Sequence, residues 1–275
     1  MRVLKITALA AALLLVAASM VFAGPTYDRV MKDKALKAGI TNKGKPFGFI
    51  NDQNEWVGFD YDMAKEIAKR IGVEFEPVVV NNKTRVSFVQ TNPPKVDMVL
   101  ANMTHKRVRD EKIDFSITYF FDGQKFLARK GAINSAAELK GKKIGSMQGT
   151  TSIVNAIAYM KKLGDANPKV TGYQNEVEMF EALRSGRVQA ISTDSTLLIA
   201  LAAKEPGKYE LVGEFISDEP YGVGLPQDDS AWRDVINFTI QDIWKDGTYM
   251  KIYNKWFGPD SETPFPMTEK IEMWP

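Results

Sequence analysis

Along the chain, apolar positions alternate between short dense runs and stripes of helical period, and that alternation predicts an α/β fold. Strands are expected over 36–41, 73–80, 96–100, 125–129, 143–147, 188–192 and 221–225. Between them lie amphipathic stretches. Over 60–71, Met63, Ala64, Ile67, Ala68 and Ile71 share one face, and Gly72 is a natural stop. A second helix opens at Gly149-Thr150-Thr151-Ser152, carries Ile153, Val154, Ile157, Ala158 and Met160, and ends at Gly164. Asn175 with Glu178 reads as a capping box for a helix to Ser185. Further helices are expected over 195–204 and 230–245, the latter with Trp232, Ile236, Ile240 and Ile243 at helical spacing, and near 249–257. Residues 104–112 read as a charged helical turn. The tail from 258 to 275 holds four prolines and is expected to run extended along the surface.

The N-terminus breaks this rhythm. Arg2 and Lys5 precede an apolar run from Ile6 to Phe22, and Val21-Phe22-Ala23 places small residues where a signal peptidase reads them. Residues 1–23 are therefore expected to be a cleaved secretory signal and the mature chain to be periplasmic. The run is at the short limit for a membrane span.

Composition narrows the function classes. The chain carries 36 basic and 34 acidic residues, and loss of Arg2 and Lys5 with the signal would leave 34 of each. No basic tract argues for nucleic acid, and no second long apolar run argues for a membrane domain. With no cysteine, neither a disulfide framework nor a lipoprotein anchor is available, so the core must hold an exported chain together. About 250 mature residues suffice for two lobes. No Ser-His-Asp set, G-x-S-x-G, phosphate loop or zinc spacing is evident; His105, the only histidine, reads as surface. No cofactor and no metal are expected.

Four positions carry candidate chemistry, each with a plain alternative. The Gly149–Ser152 turn suits an anion at a helix start, or an ordinary cap. Asp194, where a strand gives way to a helix, suits an ammonium group, or caps that helix. Arg109, with Thr104 five residues before it, suits a bidentate carboxylate clamp, or a solvated helix face. Trp56 suits stacking on a ligand, or the core.

Their order along the chain is distinctive. Trp56-Val-Gly-Phe-Asp-Tyr-Asp is followed by Arg109 and Ile113-Asp-Phe-Ser, then Leu139-Lys-Gly-Lys-Lys-Ile-Gly and Gln148-Gly-Thr-Thr, then Ser185-Gly-Arg and Asp194, then Asp246-Gly-Thr-Tyr and Lys255-Trp-Phe. Over residues 27–258 this resembles the family 3 bacterial extracellular solute-binding proteins, the periplasmic receptors of polar amino-acid ABC importers. The spacing around Asn82 to Arg85 and the proline-containing tail resemble the glutamate/aspartate-binding members. The resemblance implies a type II periplasmic binding protein: two α/β lobes, 24–120 with 226–275 and 121–225, joined by two crossing strands around a central cleft. It implies that Arg109, Thr104 and Thr151 hold a ligand α-carboxylate, that Asp194 takes the α-ammonium and that the backbone of Asn102 contacts the ligand. It implies a monomer that closes on a small amino acid and hands it to a membrane permease, with no enzymatic activity.

The side-chain pocket departs from the acidic-receptor pattern. Thr41 stands where an acid or arginine is common, and Gly44 where an aromatic stacks; Trp56 is expected to supply stacking from the other side. Arg85 matches an arginine that reaches a side-chain carboxylate, but Glu176 replaces a histidine and would repel one. A polar amino acid is expected, neutral or acidic. The rival classes are a dehydratase of cyclohexadienyl carboxylates on the same scaffold, with Glu176 as its acid, and a sensor lobe for a separate membrane partner. A receptor for an anion without an amine is disfavoured, because Asp194 would then be a buried charge without a partner.

Overall fold

The computed structural model describes residues 24–274, so the expected signal lies outside the described residues. The chain enters through α1 (Pro25–Asp33), which the sequence reading did not expect, and β1 (Ala35–Thr41). A small three-stranded sheet follows, β2 (Lys43–Gly44), β3 (Gly48–Ile50) and β4 (Trp56–Val57). Helix α2 (Phe59–Ile71) buries Met63, Ala64, Ile67 and Ala68, and Gly72 ends it at φ 80°, a conformation glycine adopts without steric cost. Next come β5 (Glu74–Val80), α3 (Arg85–Gln90), β6 (Met98–Val99) and α4 (Arg107–Asp110). The expected strand over 96–100 shrinks to two paired residues, and the charged turn to four helical ones.

The largest departure is β7 (Asp114–Arg129), one strand of 16 residues where five were expected. The second half of the chain supplies β8 (Lys143–Met147), α5 (Ser152–Lys162), β9 (Lys169–Tyr173), α6 (Glu176–Arg184), β10 (Ala190–Asp194), α7 (Ser195–Ala202), β11 (Tyr209–Val212) and β12 (Asp218–Leu225). It closes with α8 (Ser230–Lys245) and α9 (Thr248–Phe257).

The strands form one curled path in the order β5-β1-β6-β12-β7-β10-β8-β9, with β11 also on β7. Strand β7 belongs to both ends of that path. Its residues 114–123 pair antiparallel with β12, and 124–129 pair with β10 and β11. The changeover lies at Gly123 and Gln124, whose register partners are Asp218 and Asp194.

Each end of the sheet is covered on both faces. Beside β1, β6 and β12, one core holds Phe59, Met63, Trp232 and Tyr249 and the other Val89, Val99, Met103 and Ile113. Beside β8 and β10, Met179, Leu183 and Leu198 fill one face, and Ile144, Ala156 and Met160 the other. Tyr221, Val223 and Leu225 of β12 pack in the first of these cores, so the chain is already back in the first lobe along this strand. The tail does more than run over the surface. Phe265 and Ile271 are buried in that core, Tyr253 donates to the Phe265 carbonyl at 2.9 Å, and Gln241 donates to that of Glu272 at 3.0 Å.

Half of the expected capping box forms at α6, the bond from the N-cap side chain. Asn175 Oδ1 accepts from the Glu178 N–H at 3.0 Å, while Glu178 reaches back to the Gln174 N–H. Asn175→Ala removes that acceptor and is expected to lower stability by ~1 kcal/mol. A shift in the urea midpoint at unchanged slope would record it.

Candidate ligand-binding cleft

Four segments converge where β7 changes sheets: the first-lobe loop 101–104, the start of α5, the end of β10, and β12. The two lobes touch there. Gly149, at φ 74°, lies so close to the first lobe that a Cβ would stand 3.0 Å from the Asn82 carbonyl. Arg85, Thr104, Thr151 and Asp194 are all buried, so the cleft is closed.

Asp194 stands at the N-cap position of α7, yet its side chain makes no capping hydrogen bond. Asp122 of β7 does that work, accepting from the Ser195 and Thr196 hydroxyls and, at 3.3 Å, from the Thr196 N–H. The Asp194 carboxylate is free to turn inward. Its Oδ1 accepts from Gln124 Nε2 at 2.9 Å, and its Oδ2 from the Tyr221 hydroxyl. Burial, then the charges of Asp122 and Glu219, push its carboxyl up to about 7, against the pull of those two hydrogen bonds. It is therefore a carboxylate short of a cation.

The cations are close by. Arg109 is half-buried whereas Arg107 is exposed. Arg109 Nη1 donates to the Thr104 carbonyl at 2.8 Å. Burial lowers its pKa, and the carboxylates of Glu219 and Asp194 oppose that shift. Arg85 is buried beside it, with Nη1 on the Ala101 and Asn102 carbonyls at 2.6 and 3.2 Å and Nε without a partner. Burial and then the Arg109 charge bring it down to about 9, with Asp194 holding it up. Arg109 and Asp194, from opposite lobes, are joined through the hydrogen bonds of Thr104, Glu219, Thr151 and Gln124.

The two threonines behave differently from the expectation. The resemblance implies that Thr104 and Thr151 hold a ligand carboxylate, but both hydroxyls donate to Oε2 of Glu219, Thr151 at 2.9 Å. The other oxygen of Glu219 accepts from Asn155 Nδ2 at 3.0 Å and Ser217 Oγ at 2.7 Å. Four donors fill the acceptor capacity of one carboxylate. Thr151 Oγ1 also accepts from Gln124 at 2.7 Å. The Ser152 N–H is taken by the Thr150 hydroxyl at 3.2 Å, but the other first N–H groups of α5 have no intrahelical partner, so at this turn the backbone offers donors that the hydroxyl does not.

The remaining candidates divide. Asn102, at φ 39°, is held through its N–H by Asp60 at 2.7 Å. Asp60 also accepts from Tyr119 at 2.8 Å, and burial raises its carboxyl to about 6 against both bonds. Glu176 is half-buried; burial raises its pKa, against the pull of its own backbone N–H and of the charges of Arg85, Lys204 and Lys43. Thr41 bonds to the Gly48 carbonyl at 3.1 Å, pinning the β1–β3 connection. Trp56 stacks on Tyr61, centroids 6.1 Å apart, and packs on the core, which is the core alternative. His105 is exposed and stacks on Phe115. A groove of about 480 Å³ lined by Lys45, Phe49 and Trp256 lies elsewhere and contains none of these residues.

Sequence reading missed Gln124, Asn155, Glu219 and Tyr221. Polar residues inside β-rich runs, Asp122-Gly-Gln124 and Glu219-Pro-Tyr221, were the available signal: a buried strand keeps such groups only where they are paired.

Known proteins are similar to this chain in sequence and in fold. The sequence pattern of the bacterial extracellular solute-binding proteins, family 3, matches residues 36–259. The ABC transporter glutamine-binding protein GlnH of Bacillus subtilis (strain 168) is 34% identical over 243 residues, 86% of this chain and 85% of that protein. The glutamate/aspartate import solute-binding protein of Escherichia coli (strain K12) is 27% identical over 247 residues, 86% of this chain and 80% of that protein. Among solved structures, an ancestral arginine-binding protein bound to glutamine superposes with a TM-score of 0.73 at 38% identity, covering 82% of this chain and 98% of that one.

Proposed function

The chain belongs to the bacterial extracellular solute-binding proteins, family 3, and from that premise we propose that it is the periplasmic receptor of an ABC importer for a polar L-amino acid. The observation that supports the reading is the hydrogen-bond path that joins Arg109 to Asp194 through Thr104, Glu219, Thr151 and Gln124 in one crevice. Closure takes a zwitterion out of water at both ends, and each charge must find a partner or the cost is several kcal/mol. The α-carboxylate lies on Arg109 and the N–H groups at the start of α5. The α-ammonium lies on Asp194 and on the Thr104 hydroxyl, whose proton is already committed to Glu219. A ligand that bridges both lobes binds the closed form better and so shifts the balance toward it. That closed form is what a permease would read.

At the far end the ligand's side chain meets Arg85 and Glu176. One donates and the other accepts, so a carboxamide answers both, while a carboxylate would face Glu176. Glutamine is the ligand of first choice. It is also the ligand named for the Bacillus subtilis relative. The test is mass spectrometry of what denaturation releases, with calorimetric titration of the stripped protein against the common amino acids. Tight binding of L-glutamine supports the reading; binding of L-glutamate alone would transfer the pocket to the acidic class. Failure of every α-amino acid to bind, with turnover of a cyclohexadienyl carboxylate, would replace the receptor by an enzyme. Among the described residues no helix is long and apolar enough to cross a membrane.

The raised pKa of Asp194 gives the binding a pH signature. Below about 7 that carboxyl is largely protonated, and an ammonium can take it only by displacing the proton. Affinity is expected to rise with pH, by up to ~10-fold per unit between about 5 and 7, and then to level off. Titrations in buffers of different ionisation enthalpy should register proton release at pH 6 and none at pH 8.5.

A further inference from the structure

We infer that Glu219 is a positioning residue that makes the Thr104 hydroxyl an acceptor, so that the cleft selects molecules bearing an α-amino group. The inference rests on the reading of the cleft given above. A threonine hydroxyl has one proton and two lone pairs. Left alone it serves an anion or a cation equally well, by rotation. In this protein its direction is fixed by a chain of hydrogen bonds that begins at Asp194. That carboxylate, facing Gln124, requires the amide N–H side, so Nε2 points to Asp194 and Oε1 points away. Gln124 Oε1 in turn accepts from Asn155 Nδ2 at 2.9 Å, which orients the Asn155 amide. Asn155 Nδ2 then donates to Glu219 Oε1, joined by the Ser217 hydroxyl, and Glu219 Oε2 is left to Thr104 and Thr151. The Thr104 proton lies on the side of β12 and its lone pairs remain for the ligand.

The chain joins both crossing strands to both lobes: Gln124 and Glu219 stand on β7 and β12, Thr104 on the first lobe, Thr151, Asn155 and Asp194 on the second. A purely structural hinge strap would have the same contacts but would not care which polarity the hydroxyl presents.

Glu219→Gln tests the difference, because it keeps the shape and reverses one polarity. The oriented Asn155 amide and the Ser217 hydroxyl hold the new amide's oxygen where Oε1 was. Its NH2 then faces Thr104 and Thr151 and donates to both. The Thr104 proton must turn toward the cleft, where it opposes an ammonium and suits an anion. Calorimetric titrations would compare L-glutamine with 5-amino-5-oxopentanoate, the same molecule without its α-amino group. Wild type should prefer L-glutamine. In Glu219→Gln that preference should fall by ~10-fold or more, the size of one charge-assisted hydrogen bond, with binding of the des-amino compound unchanged or tighter. If both affinities fall together and the ratio stays at the wild-type value, Glu219 is only a strap and the inference is overturned. If wild type binds neither compound, the reading of the cleft fails first, and this inference with it. Thermal melts report whether the variant folds. Should it not fold, Thr104→Val, which removes the hydroxyl at equal size, must lose the preference to a similar extent, and an unchanged ratio there overturns the inference equally.

Discussion

Arg109→Ala is expected to weaken binding of the amino acid by ~2 kcal/mol or more, ~30-fold in Kd, with the fold intact. One of the guanidinium's N–H groups is engaged by the Thr104 carbonyl. The planar fork keeps further donors for a carboxylate. Truncation leaves the ligand's α-carboxylate in a closed crevice with backbone donors alone. Stability should change little, because two contributions oppose each other. The loop loses its tie to the Thr104 carbonyl, but Arg85 loses a like charge that holds its own pKa down. Arg107→Ala, at an exposed position two residues away, should leave affinity unchanged. Calorimetric titration of both variants decides it. Wild-type affinity in Arg109→Ala would return that residue to the solvated face of a helical turn.

Much of the fold was legible because period and burial coincide. Helix α2 carries its apolar stripe where the sequence puts it, and β8 begins and ends at the expected residues, Lys143 and Met147. The failures share a cause. Strand β7 contains Asp114, Ser116, Asp122 and Gly123, which locally read as interruptions. Two of these polar groups have distant partners: Ser116 the β12 backbone, Asp122 the start of α7. Such partners lie tens of residues away and leave no local trace. Strands β9 and β11 are four or five residues long, half-exposed, and take their place only from neighbours already in register.

The candidate site was legible as a set of charges costly to bury and not in its proton directions. Arg109 and Asp194 stand out because an arginine beside an apolar run and an acid at a strand end each look costly to bury. What sequence could not settle was which alternative each residue takes, since a cap and a ligand contact use the same atoms. At Asp194 the capping role is taken by Asp122, from another strand. At Thr104 and Thr151 both hydroxyl protons are taken by the carboxylate of Glu219.

Asp194→Asn should move affinity and stability in opposite directions, and that opposition is what identifies its role. The substitution removes the counter-charge of a desolvated ammonium while keeping the size and an acceptor for Gln124. Loss of one partner from a buried charge pair costs 2–5 kcal/mol, so binding of L-glutamine should weaken by about 3 kcal/mol or more. The ligand-free protein should respond the other way. The folded-state pKa of Asp194 lies near 7, above its unfolded value, so the folded chain binds more protons and stability falls as pH rises from about 4 to 7. An asparagine mimics the protonated form and is spared the repulsion of Asp122 and Glu219. The variant is therefore expected to be at least as stable as wild type at pH 8, with a flatter stability profile between pH 4 and 7; the part due to Asp60, raised to about 6 by burial, should remain. A capping aspartate would give the reverse pattern, lower stability with affinity nearly unchanged. Urea melts across that pH range, beside titrations with L-glutamine, separate the two, and a stability loss without an affinity loss would remove Asp194 from the ligand site.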